Sequence, residues 1–85
     1  MFTQEEKNKI ERVTAHAHTK HAKLISEMSK ISFIYKYDIN VWDETIRFGL
    51  GFEVGNHHLK EMFELCNKHG FNVIANNGIW LSKYI

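Results

Sequence analysis

Along the first third of the chain, apolar and small residues return at alternating steps of four and three: Ile10, Thr14, Ala17, His21, Leu24, Met28 and Ile31. This is the heptad-like rhythm of one helix face, and Val13 and Ile25 widen it. Thr3-Gln4-Glu5-Glu6 has the form of a capping box, with Thr3 at the N-cap and Glu6 three residues on. The pattern predicts a helix from about residue 4 to about residue 29, about 40 Å long at its usual rise. A small domain cannot cover such a length well. Either part of it projects, or a second copy of the chain covers the rest, which makes the seam Ile10, Thr14, Ala17, His21, Leu24 and Met28 a predicted self-association surface and the protein a predicted homodimer.

The rhythm then shortens to two. A strand is expected over about 32–39, with Phe33, Tyr35, Tyr37 and Ile39 on one side and Ile34, Lys36 and Asp38 on the other. After the polar connection "NVWDET", a second strand over about 46–54 alternates more cleanly. Ile46, Phe48, Leu50, Phe52 and Val54 face one way; Arg47, Gly49, Gly51 and Glu53 face the other. Two bare glycines weaken a strand unless a bulky group lies against them, and Tyr35, Trp42 or Trp80 can supply it. A second helix is expected over about 56–69, N-capped by Asn56 and striped by Leu59, Met62, Phe63 and Cys66. Gly70 is placed to end it as a left-handed C-cap, with Phe71 making the hydrophobic contact beyond. The segment 71–85 reads as a hairpin around Asn77-Gly78, a preferred type I′ pair. The order α-β-β-α-β-β predicts a single α+β domain over 1–85, with a four-stranded, mainly antiparallel sheet and its helices packed on it.

Composition narrows the function classes. One cysteine among 85 residues excludes an internal disulfide framework and suits a reducing compartment. Residues 1–13 are charged from Glu5 onward, unlike a signal peptide or anchor, and no apolar run reaches the ~20 residues of a membrane span. The expectation is a cytoplasmic protein with no membrane partner. The net charge of +1 conceals a split: residues 1–36 carry seven Lys/Arg against four Glu, and residues 37–66 two against six Asp/Glu. Such a split makes a dipolar surface through which like molecules can pair.

Three of the six histidines fall within residues 16–21. With Ile10 at zero on a regular helix, His21 lies about 20° away in the apolar seam, His18 about 80° away at its edge and His16 about 240° away. They cannot share one metal ion. His16 belongs instead to a basic stripe of Lys9, Arg12, His16, Lys20, Lys23 and Lys30, which either is a solvated face or meets a phosphate backbone or an acidic protein. His18, His21, Cys66 and His69 form a Cys-His₃ set acceptable to structural zinc but unsupported by any C-x-x-C or H-x₃₋₅-H spacing. Cys66 more simply reads as a small core residue and His69 as a cation at a helix C-terminus. His57 and His58 beside Glu53 suggest a carboxylate–imidazole pair, but no nucleophile elbow, P-loop or dinucleotide fingerprint accompanies it.

No cofactor, metal or catalytic set is therefore expected. The sequence points to a non-enzymatic interaction protein that self-associates and binds a macromolecular partner, through the basic stripe or through the acidic segment Asp38, Asp43 and Glu44. Its richness in Ile, Lys and Asn suits a stand-alone accessory protein from an AT-rich genome, such as a phage protein that modulates a host protein. The alternative is a nucleic-acid binder using the basic stripe. Tyr35, Tyr37, Trp42 and Trp80 are expected in the core and sheet, and become stacking platforms only if exposed beside Lys36 and Arg47.

Overall fold

The structure is a computed structural model and describes residues 1–51, 56–75 and 77–85, without the side chains of Asn56 and His57. Its elements are α1 (Gln4–Lys20), α2 (Ala22–Ser29), β1 (Ile34–Asn40), β2 (Thr45–Leu50), α3 (Asn56–His69), β3 (Asn72–Ala75) and β4 (Ile79–Tyr84). The four strands form one antiparallel sheet in the order β1-β2-β4-β3. The fold is the α+β arrangement expected from the hydrophobic pattern. The expected facing of Phe52 and Val54, the capping by Asn56 and the pairing of Glu53 with His57 lie outside what is described.

The long first helix is two helices. The Thr3–Glu6 capping box forms, with Glu6 N–H donating to Thr3 Oγ1 at 3.2 Å and Thr3 N–H to Glu6 Oε1 at 3.0 Å. At His21 the backbone leaves helical geometry (φ −107°, ψ 21°), although His21 N–H still donates to the Ala17 carbonyl and Ile25 N–H to that of His21. Just upstream, the Thr19 hydroxyl donates to the Ala15 carbonyl, a contact that bends helices. The break lets α2 lie over the sheet while α1 turns to its end. There Val13 is buried, Phe2 lies 6.2 Å from the Trp42 ring, and Lys20 Nζ donates to the Ile85 carbonyl at 2.7 Å.

Alternation in β2 and β4 then decides which face the helices cover. Leu24 and Met28 of α2, and Met62 and Leu65 of α3, pack with Ile46, Phe48 and Leu50 of β2 and Leu81 of β4. Among the described residues, Met28, Ile46, Phe48 and Leu81 are the largest side chains sealed from solvent. Gly70 ends α3 at φ 73°, its N–H and that of Phe71 both donating to the Cys66 carbonyl, and Phe71 closes the core 5.7 Å from Phe48.

Three local readings change. Between Ile34 and Lys36 the β1–β2 register shifts, so Tyr35 is the extra residue of a bulge. Ile34 consequently joins Tyr37 and Ile39 on the helix side, and Tyr35 leaves them. In the last hairpin the Ala75–Ile79 pair encloses three residues rather than the two of a type I′ turn, with Asn77 and Gly78 at φ 52° and 122°. The Asn40–Thr45 connection is tightened by Asp43 N–H donating to Asn40 Oδ1, and Glu44 takes φ 53°.

Because Met28 is core rather than surface, Met28→Ala should lower stability by about 2–5 kcal/mol. Urea unfolding at two protein concentrations checks this. The same loss at both marks a core residue, and a loss confined to the higher concentration marks a subunit seam.

Candidate interaction surface

The helices cover one side of the sheet, and the alternate residues of its strands form the other. Register assembles that open face in rows: Lys36, Gly49, Trp80 and Ile74 across one, Asp38, Arg47, Ser82 and Asn72 across the next, and Thr45 beside Tyr84. Gly49 is the reason Trp80 can lie flat, since a Cβ there would meet the indole at 3.0 Å. The expected cover for a bare strand glycine is therefore Trp80. Lys36 Nζ and Arg47 Cζ lie over the indole, 5.3 and 5.2 Å from its centroid. Arg47 is fixed by a bidentate pair with Asp38 at 3.0 and 2.9 Å. Tyr35, pushed outward by the bulge, is 71% exposed with Lys36 Nζ 5.6 Å from its ring. Tyr84 is 75% exposed and borders two hollows. One, of about 300 Å³, lies on the sheet among Arg47, Asn72, Ile74 and Ser82. The other, of about 470 Å³, lies between Arg12, Val13 and His16 of α1 and Glu44, Tyr84 and Ile85.

The predicted site residues are dispersed. In the basic stripe, Lys9 caps the Trp42 ring at 5.4 Å, Lys20 is tied to Ile85, Arg12 and His16 line the larger hollow, and Lys23 and Lys30 are exposed on α2 beyond the break. In the predicted seam, Ala17, His21, Leu24 and Met28 are buried in the chain's own fold, and Ile10 and Thr14 are half-buried. The zinc candidates have separate surroundings. His18 Nε2 is 3.2 Å from the Tyr37 hydroxyl, and His69 Nε2 is 3.5 Å from a Glu27 oxygen. Burial raises the pKa of the Cys66 thiol. Among the described residues no group of three or more His, Cys, Asp or Glu is placed to hold a metal. The His58 ring packs 5.1 Å from Phe33.

His21 is the least conventional of these residues. It is buried at the α1–α2 break, and among the described residues its Nε2 has no hydrogen-bond partner. Burial first, then Lys83 from β4, then Lys20 and His16 from α1, lower its pKa from the ordinary 6.5. Lys83 does not bond to it, donating instead to the His69 carbonyl at the end of α3 at 2.9 Å. Glu27 joins α2 to α3 by accepting from Lys68 at 2.8 Å, and that bond together with Lys68 and His69 lowers its carboxyl pKa.

No family model matches the chain, and no curated protein or solved structure is similar enough to match it. Among the described residues no helix is long and apolar enough to cross a membrane.

The depressed His21 pKa has a definite sign. The unfolded chain takes up a proton near pH 6.5 that the folded chain resists, so stability is full above that pH and falls as pH drops through it. Glu27 adds the same direction only below its ordinary 4.5. Thermal midpoints measured from pH 7.5 to 5.5 should therefore fall in the wild type and flatten in His21→Leu. An equal fall in the variant assigns the effect to other histidines.

Proposed function

We infer that this chain is a small non-enzymatic interaction protein whose open sheet face docks a protein partner. The arrangement of Trp80 on Gly49 beneath Lys36 and Arg47, with Tyr35 and Tyr84 exposed around it, carries the reading. Tryptophan, tyrosine and arginine are the residue types that dominate protein interfaces, because each offers a large rigid surface with a polar handle. Here they stand on strands, pre-positioned by register, so little side-chain freedom is lost on binding. The Arg47–Asp38 pair orients a side chain rather than activating a nucleophile. A protein of this kind acts by occupying its partner, which suits the accessory, modulating role expected from its composition.

Exposed aromatics beside Lys36 and Arg47 also meet the condition for stacking nucleotide bases. Charge argues against that partner. Asp38 lies on the same face and Asp43 lines its hollow, where a phosphate backbone would meet them, and Arg47 is already neutralised by Asp38. The α1 stripe, the other nucleic-acid surface, has Lys9 and Lys20 engaged and is interrupted at His21.

Affinity capture from source cells should recover a protein that survives nuclease treatment of the extract. The Tyr35→Ala/Tyr84→Ala variant should lose at least about tenfold of it, whereas Lys20→Glu/Lys23→Glu should retain it. Full retention by the tyrosine variant, or loss of the captured protein with nuclease, contradicts the reading.

A further inference from the structure

The continuous core is built without the first helix. It joins Leu24 and Met28 of α2 and Met62 and Leu65 of α3 to Ile46, Phe48, Leu50 and Leu81 of the sheet, and among the described residues none of α1 belongs to it. Val13 and Ala17 of α1 are buried outside it, as is Val41 beside Trp42. Surface contacts complete the docking of α1: Phe2 and Lys9 on the Trp42 ring, Lys20 Nζ on the Ile85 carbonyl, and His18 against the Tyr37 hydroxyl. A segment with so few buried apolar contacts opens before the rest of a fold.

His21 is where this segment meets the core. Its imidazole is 8% exposed, and among the described residues its Nε2 has no hydrogen-bond partner. Such a ring is tolerated while it is neutral and not once it is charged. The titratable groups that act on it are Lys83 of β4 and Lys20 and His16 of α1, and no described carboxylate offsets them. Helices α2 and α3 contribute none: Glu27, Lys68 and His69, where those helices meet, are engaged with one another. Lys83 is held beneath the helices by the His69 carbonyl at 2.9 Å and the Phe71 ring at 6.0 Å, so it does not swing away. The helix dipoles give no relief, because His21 ends α1 and begins α2 and the opposite ends cancel. A proton on His21 therefore drives the ring toward water. Leu24 and Met28 anchor α2 in the core, so the side that yields is α1.

We propose that α1 is an acid-released arm, which undocks as a unit from a core that stays folded and whose undocked fraction rises when His21 takes up a proton. Undocking uncovers Val13 and Ala17, bares the Trp42 ring and frees Lys9 and Lys20 from their present contacts. The arm then offers apolar and basic residues that the docked chain covers or engages. The device is independent of the open face, which lies across the sheet from the helices.

Native-state hydrogen exchange at pH 7.5 and 5.5, corrected for the intrinsic effect of pH and repeated in low urea, tests the proposal. Amides of α1 should open with a smaller urea dependence than those of β2 and β4, the mark of a partial opening. Their protection should fall several-fold at the lower pH, with about tenfold as the ceiling for one imidazole that regains its ordinary pKa of 6.5 on undocking. His21→Leu and His21→Gln, the second keeping a polar side chain at the joint, should each remove that fall, and His18→Gln should keep it. Amides of α1 and β4 that open together with one urea dependence overturn the proposal, as does α1 protection that is the same at both pH values. A fall that survives both His21 variants, or is lost in His18→Gln instead, overturns it too.

Discussion

The packing of Phe48, Ile46 and Leu81 against Met28 is the contact on which the rest of the molecule depends. In a chain of 85 residues a single core must supply most of the stability, and these side chains are its sealed centre. Their place on adjacent strands commits one face of the sheet to the helices. The period of two then sends Arg47, Gly49, Trp80 and Ser82 to the other face, which no described element covers. The open face is a consequence of the core, and its chemistry is the chemistry of the alternate residues.

The same core explains the break in the first helix. A straight helix through residue 29 would bury Leu24 and Met28 but carry its N-terminal half away from the sheet. Breaking at His21 keeps the backbone hydrogen bonds on either side and lets Val13, Lys9 and Phe2 settle on the Trp42 end. The cost is an imidazole buried at the joint with Nε2 unpaired among the described residues, near the cations Lys83 and Lys20. That is tolerable while the ring is neutral and unfavourable once it is charged.

Local signals were readable from sequence because they depend on neighbours only. Thr3 and Glu6 satisfy each other within one turn, Gly70 meets a positive φ that other residues resist, and the β2 alternation reflects one buried face. What was not readable required long-range register. Nothing in "ISFIYKY" marks Tyr35 as a bulge, because the extra residue is defined by Leu50 and Gly49 on the partner strand. Trp80 was one of three aromatics able to cover a bare glycine, and only the β2–β4 pairing selects it. The seam of α1 and α2 has the expected periodicity, but periodicity shows a buried face without showing what buries it, and here the chain itself buries Ala17, His21, Leu24 and Met28. The histidines separated in the structure as their helical angles required, but the break under His21 has no signature beyond Thr19.

We propose that the partner docks on the aromatic face of the sheet rather than on the charged helix, and footprinting the captured complex decides between them. Hydroxyl-radical oxidation of the free protein should modify Tyr35, Trp80 and Tyr84 on the open face as well as Phe2 and Trp42 at the α1 end. In the complex the first three should be protected and the last two unchanged. Protection of Phe2 and Trp42 with Tyr35, Trp80 and Tyr84 still oxidised would contradict it.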